Sequence, residues 1–147
     1  MNVDKLRKQL EIDEGVKYEV YLDHLGKKTF GIGHLTIAGD PENDMEVGTP
    51  VSEKRVQEVF DKDVQSVIDD CKRLHNDFNS LPEECKQIIG NMMFNMGLPK
   101  MKAFKKMNKA IEERNWEEAS RQMIDSKWYK TVTNRADRLV QRMKMVS

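Results

Sequence analysis

Residues 11 to 35 read EIDEGVKYEVYLDHLGKKTFGIGHL, and this stretch decides the fold. Just upstream, Val3, Leu6 and Leu10 recur at steps of three and four, which predicts a helix over residues 3 to 14 with one apolar stripe. Asp13-Glu14-Gly15 ends it, because a glycine free to take positive φ is how helices commonly stop. Glu14 therefore stands at a corner. The next residues alternate, with Tyr18, Val20 and Leu22 on one side and Glu19, Tyr21 and Asp23 on the other, the pattern of a half-buried strand. A turn follows at His24-Leu25-Gly26. Thr29 to His34 then alternates again, with glycines at 31 and 33. This places Asp23 at the end of the first strand of a hairpin and Thr29 just across the turn.

Working outward, residues 35 to 51 contain Gly39, Asp40-Pro41, Gly48 and Thr49-Pro50 with few apolar side chains, and read as a loop. Ser52 is a good N-cap, although Arg55 leaves the capping box incomplete. From there Val56, Val59, Phe60, Val64, Val67, Ile68, Cys71 and Leu74 keep helical spacing for about six turns. Ser80-Leu81-Pro82-Glu83 supplies a cap, an early proline and an acidic residue, so a helix is expected from there to Met96, with Gly97 ending it and Pro99 keeping it ended. Further helices are expected over 101 to 113, 116 to 124 and 134 to 144, with a turn near Trp128-Tyr129. Their apolar positions include many of the ten methionines of the chain, a side chain that fills irregular space well. Cys71 and Cys85 fall among apolar residues and read as small core side chains, a disulfide being the minority reading.

The chain has 147 residues, 38% apolar and 34% charged, with a mean hydropathy of -0.73. This is one domain's worth of soluble globular material. The N-terminus lacks the continuous apolar run of a secretion signal, and nowhere is there a run near the roughly 20 apolar residues of a membrane helix. Net charge is zero but unevenly spread. Residues 1 to 98 hold 12 basic and 19 acidic side chains, and residues 99 to 147 hold 13 and 6. A basic last third favours an anionic polymer, or is simply a set of solvated helix faces. His24, His34 and His75 show no metal-ligand spacing, so no metal and no cofactor are expected.

The order of helix, Glu14, a short hairpin bearing Asp23 and Thr29, and then GIGH resembles the T-even-phage-type lysozymes. The likeness continues in NMMFNMG (91 to 97), in NWEEA (115 to 119) and in SKWYKTVTNRADR (126 to 138), and so covers nearly the whole chain. It implies an α+β, mostly helical fold, a single domain over 1–147. Its small N-terminal lobe (about 13–60) would be joined by the helix over 53–74 to a helical lobe (about 1–12 with 75–147), with a saccharide cleft between them. The segment over 35 to 51 is longer in relatives, so the cleft's outer wall is expected to be trimmed.

Breaking a glycosidic bond needs a protonated acid at the leaving oxygen and a carboxylate on the other face of the sugar. The resemblance makes Glu14 the general acid, puts Asp23 opposite, gives Thr29 a share in holding the water, and implies inversion at the anomeric carbon. It pairs Arg135 with Glu14 as an orienting group and His34 with Asp63 as a structural clamp. Leu35 and Phe94 match positions lining the saccharide cleft, with Asn95 close by, and Trp116 and Trp128 match core positions.

The expected activity is hydrolysis of the β-1,4 bond between N-acetylmuramic acid and N-acetylglucosamine in bacterial peptidoglycan by a soluble monomer, without nucleic acid or membrane insertion. One rival is a lytic transglycosylase, which needs the Glu but no water-activating partner. A second is a wall-binding protein without activity. A third, a nucleic-acid binder using the basic third, lacks any helix-turn-helix, zinc or RNP signature.

Overall fold

In the computed structural model, which describes residues 1 to 147, the first helix α1 spans Val3–Glu14. Gly15 ends it at φ 73, donating its N–H to the Glu11 carbonyl at 2.9 Å. The strands that follow are β1 (Lys17–Leu22), β2 (Lys28–Gly31) and β3 (His34–Leu35), an antiparallel sheet in sequence order. A 22-residue helix, α2 (Glu53–Leu74), comes next, with Ser52 Oγ accepting the Arg55 N–H as a cap. The remaining helices are α3 (Glu83–Met96), α4 (Leu98–Ala103), α5 (Lys105–Glu112), α6 (Trp116–Ile124), α7 (Lys127–Thr131) and α8 (Thr133–Lys144). No helix is long and apolar enough to cross a membrane. The chain separates into two compact units, Arg7–Ser66 and Met1–Leu6 with Val67–Ser147, so α1 and α2 each contribute to both.

In the unit Arg7–Ser66, three sequence expectations are corrected. First, the expected second strand over 29 to 34 is two strands. Gly31 and Gly33, at φ 64 and 61, turn the chain at Ile32-Gly33 so that β3 folds back on β2. Second, β1 does not bury one alternate face. Val20 is buried while Tyr18 and Leu22 are 48% and 52% exposed. The pairings Lys17 with Gly31 and Tyr21 with Thr29 leave extra residues on β1, a bulge that breaks the alternation. Third, the expected loop over 35 to 51 is tied down. It holds a 3-10 turn at Pro41–Asp44, and its end pairs with the free edge of β1. Val20 donates to Thr49 O at 2.9 Å, Gly48 to Val20 O at 2.7 Å and Val51 to Tyr18 O at 2.9 Å. Both edges of β1 are thus satisfied, which removes the exposed ladder that an edge strand presents. The buried apolar residues here include Leu10, Phe30, Ile32, Val56, Val59 and Phe60.

The other unit is helical, with a core running from Val67 to Val146 that buries Met92, Met93, Met101, Met107, Met123 and Met143. Cys71 and Cys85 are free thiols in it, and burial pushes each up to about 12, so neither is a reactive thiolate. Three boundaries differ from expectation. Ser80 closes a 3-10 turn at Phe78–Ser80, and Pro82, not Ser80, stands at the N-cap of α3. Gly97 does end α3, at φ 82, but Pro99 falls in the first turn of a new helix, where its missing N–H costs nothing. The single helix expected over 101 to 113 is therefore α4 and α5, broken at Phe104, and the turn at Trp128-Tyr129 is the short helix α7. Arg114, at φ 58, closes α5 by donating to Ile111 O, and it holds Asp77 in an ion pair.

His75 is the exception in this core. It is 1% exposed, and neither ring nitrogen has a hydrogen-bond partner, the Glu112 carboxylate standing 3.8 Å from Nδ1. Burial, with the Arg114 charge, holds its pKa below the ordinary range against Glu112 and Asp77. A folded-state pKa below the unfolded one means that the neutral ring is the compatible form. Stability is then fully present above about pH 6.5, the ordinary His value, and is lost as pH falls below it toward the folded pKa. His75→Leu is expected to stabilise the protein by about 1–3 kcal/mol, the cost of an unsatisfied buried polar group. Urea unfolding at pH 7.5 and pH 5 should show the gain larger at pH 5.

Candidate active site

The ladder brings three residues into one row. Tyr21 on β1, Thr29 on β2 and Leu35 on β3 are directly opposite one another, and opposite residues share a face of the sheet. Asp23 directly follows β1, and its N–H donates to the Lys27 carbonyl that also accepts the Thr29 hydroxyl. Flanked by two larger side chains, Thr29 is 5% exposed, while Leu35 is exposed and Tyr21 half-buried. The structure therefore brings Asp23, Thr29 and Leu35 together.

Lys27 is the common anchor of the two polar groups, through its backbone alone. Its carbonyl accepts the Asp23 N–H at 2.9 Å and the Thr29 hydroxyl at 3.0 Å, and its own N–H donates to Asp23 Oδ1 at 2.8 Å. The Leu25 N–H donates to the same oxygen at 2.8 Å, so Asp23 closes the turn as an Asx turn does. Oδ2 receives no protein hydrogen bond. The Lys27 N–H, with that of Leu25 and the His24 and Lys27 charges, holds the Asp23 carboxyl below its ordinary range against a smaller desolvation effect. Asp23 is thus a fixed anion. The Thr29 proton is committed to a carbonyl, which leaves its oxygen as an acceptor. A carboxylate oxygen and a hydroxyl lone pair, both pinned to one residue, can receive the two protons of one water.

Glu14 comes to the same unit from the end of α1, and Gly33 makes room for it. A Cβ on Gly33 would meet Glu14 Oε1 at 2.6 Å and Cδ at 3.0 Å, so the carboxyl lies against the bare glycine. Tyr21 registers both acids. Burial first, then the charges of Glu14 and of Asp23, push its phenol above the ordinary range. Lys17 Nζ lies 4.3 Å from the centre of the same ring. Gly33, Tyr21 and Lys27 were not among the sequence candidates. The doubled glycine was the only available signal for the first, and backbone roles such as that of Lys27 leave no mark on residue type.

His34 is held from both sides. Its Nδ1 lies 2.7 Å from Asp63 Oδ2, as expected, and its Nε2 lies 2.8 Å from Asp40 Oδ2, a partner not read from the sequence. Asp40 also accepts the Ile37 N–H at 3.0 Å and lies 3.6 Å from Arg55, which grips the buried Glu42 through two bonds of 2.9 Å. Burial favours the neutral ring, but the two carboxylates together outweigh it and raise the His34 pKa. The His34 ring, its Ile37 N–H and Arg55 in turn hold Asp40 below its ordinary range against burial. The result is a chain of charges from α2 through β3 to the 3-10 turn and back to α2.

The remaining candidates lie in the helical unit. Asn95 Oδ1 accepts the Trp128 indole N–H at 2.7 Å, leaving its NH2 as the group available for a ligand. Phe94 is partly buried against the core, as are Trp116 and Tyr129, and Trp128 is itself core. Arg135 Nε donates to Asn91 Oδ1 at 2.8 Å, which satisfies that buried amide. No group of three or more His, Cys, Asp or Glu is arranged to hold a metal ion.

A family model described as phage lysozyme matches residues 11–145. The chain is 31% identical to probable T4-type lysozyme 2 of Dictyostelium discoideum, over 94% of this chain and 92% of that protein. Its likeness to probable T4-type lysozyme 1 of the same organism is 30% over the same shares. Peptidoglycan hydrolase gp36 of Pseudomonas phage phiKMV is 28% identical over 93% of this chain, which corresponds to 15% of that longer protein.

The His34 clamp carries a pH signature of definite sign. A folded-state pKa raised above the unfolded one contributes stability that is fully present below about pH 6.5 and is lost as pH rises through the folded value. His34→Asn should cost about 2 kcal/mol at pH 5.5, less than for a fully buried pair because Asp63 is 27% exposed. The cost should shrink at high pH. Chemical unfolding of both proteins at pH 5.5 and 9 measures this; an equal cost at both would show that His34 carries no charge in the folded protein.

Proposed function

The chain belongs to the phage lysozyme family, and from that premise we propose that it hydrolyses the β-1,4 bond between N-acetylmuramic acid and N-acetylglucosamine in bacterial peptidoglycan, with inversion. Glu14 is the general acid that protonates the leaving oxygen. Asp23 is the general base, and Thr29 the acceptor that fixes the water between them. Leu35, Phe94 and Asn95 are the saccharide contacts. No metal or cofactor takes part in this scheme.

The observation that supports the reading best is the unequal treatment of the two acids. Asp23 is kept anionic by two N–H donors on one oxygen while the other oxygen stays open, which is what a base that draws a proton from water requires. Glu14 stands against a glycine, at the end of a helix whose stop fixes its position. The pairing of Thr29 with Lys27 matters as much. With its proton engaged, the hydroxyl can only accept, so it orients a water without competing for the sugar. A lytic transglycosylase has no use for such a water, and this arrangement favours hydrolysis over that rival.

Clearing of purified cell walls tests the scheme. Glu14→Gln should lower the rate by about 10²–10⁴, the usual share of a general acid, and Asp23→Asn should do the same with the fold intact. Mass spectrometry of the released fragments should show the mass of one added water, and NMR of fresh product should show the inverted anomer. Anhydro-muramic ends would instead establish the transglycosylase. Gly33→Ala, which forces a Cβ onto the Glu14 carboxyl, should cost about 10² in rate, as a displacement of about 1 Å does. Rates unchanged in Gly33→Ala would mean that Glu14 is not held where the chemistry needs it.

A further inference from the structure

The helical unit carries a set of cations that the hydrolytic scheme does not use. Lys100, Lys102, Lys105, Lys106 and Lys109 fall within ten residues on α4 and α5, and all are exposed. None makes an ion pair, whereas Arg73, Arg114, Arg121 and Arg142 each hold a carboxylate. Residues 98 to 111 contain no acidic side chain, and Glu112 is the last residue of α5. Glu118, whose carboxyl feels Lys106, is already held by Gln122 and Arg121. Packing enlarges the set. Phe104, at the break between α4 and α5, meets Trp128 of α7 edge to face at 6.4 Å and 82°. This contact sets α7, which carries the exposed Lys127 and Lys130 on either side of Trp128, against the junction of α4 and α5, where Lys102, Lys105 and Lys106 flank Phe104 in sequence.

Seven exposed like charges on three helices joined by one aromatic contact repel one another, and that repulsion is relieved by a polyanion. The surface contains no arginine, so it lacks the planar fork that reads a single carboxylate or phosphate in a fixed geometry. Nor does it contain a stacking platform. Trp128 is buried and Phe104 half-buried, whereas binders of single-stranded nucleic acid rely on aromatic faces open to bases. Point charges without shape suit a flexible chain with regularly spaced anions and no bases. In a bacterial wall the peptide stems carry amines beside their carboxylates, which leaves the phosphodiester-linked glycopolymers as the strong polyanion.

Resting on the peptidoglycan reading, we propose that α4, α5 and α7 form a docking surface for an anionic, phosphodiester-linked wall polymer of the teichoic-acid type. It holds the enzyme on the wall by charge, separately from recognition of the cleaved bond.

The test compares wild type with Lys102→Gln/Lys105→Gln/Lys106→Gln/Lys109→Gln and with the corresponding four-arginine variant. Each is cosedimented with walls bearing teichoic acid and with the same walls stripped of it by hydrofluoric acid. At low ionic strength the glutamine variant should bind intact walls at least about tenfold more weakly, with a shallower salt dependence. The arginine variant should bind as wild type does, since charge and not shape is recognised. All three should bind and clear stripped walls equally. Equal binding of intact walls by wild type and the glutamine variant would overturn the proposal. So would tighter binding of wild type to a thymidine oligonucleotide than to poly(glycerol phosphate) of equal charge, which would make this a nucleic-acid surface. Cosedimentation needs no turnover, so failure of every variant to clear stripped walls would count against the hydrolytic reading alone.

Discussion

Two left-handed glycines, two residues apart, set most of what matters in the unit Arg7–Ser66. Gly31 and Gly33 reverse the chain within four residues, and a Cβ at either would crowd a neighbouring side chain. A Cβ at Gly31 would press on Val56 at 3.1 Å, so its absence lets the sheet sit close on α2. A Cβ at Gly33 would displace the Glu14 carboxyl. The reversal itself brings Leu35 opposite Thr29 and turns His34 toward Asp63 and Asp40. One local backbone constraint thus shapes the row of Tyr21, Thr29 and Leu35, the seat of Glu14 and the clamp together. An alanine at either position would be strained by its φ, and at Gly33 it would also push on the Glu14 carboxyl, a penalty of separate origin.

The two histidines that the structure engages are charged in opposite senses. His34 sits between carboxylates and favours the imidazolium, while burial makes His75 favour the neutral ring despite Glu112 and Asp77. Each unit therefore responds to pH through its own group. Below neutrality the Asp63-His34-Asp40 clamp is at full strength while the His75 environment becomes the weaker one; above it the order reverses. The same logic separates Asp23 from the Arg55-Glu42 pair. All of these carboxylates are held down, but Glu42 has both oxygens engaged by Arg55, whereas Asp23 keeps one oxygen unengaged. A low pKa alone does not distinguish a structural anion from a working one. In the proposed scheme, the open oxygen does.

How much of this was legible in the sequence follows from the range of each signal. Helices whose ends are written locally were read well: α1 with Gly15, α2 with Ser52, and α6 over Trp116–Ile124, where Asn115 supplies the cap. The strand pattern misled because alternation assumes an unbroken ladder, and a bulge paired with the distant Thr49 to Val51 segment decides which side chains of β1 turn inward. Pro99 was read as a stop because a proline ends a helix that has already begun, yet one residue earlier in register it begins the next. Glu14, Asp23 and Thr29 were legible as a motif. The Lys27 backbone that fixes two of them was not, since a main-chain donor or acceptor is available at almost any residue.

The clamp shows the same limit from the other side. His34 and Asp63 could be paired because a family motif joins them, whereas Asp40 and Glu42, which meet Arg55 of α2, come from a segment that reads as loop by composition. What composition could not convey is that a short polar segment holding four carboxylates will be drawn onto any cation fixed beside it. Once Gly31 and Gly33 place His34 at that spot, the proton on Nε2 needs an acceptor, and Asp40, itself braced by the Ile37 N–H, supplies it at 2.8 Å. Arg55 then balances the added negative charge and carries Glu42 into a buried position that an unpaired carboxylate could not occupy. The order of the segment over 35 to 51 is therefore a consequence of charge pairing that begins with the sheet, which is why its own residues gave so little sign of it.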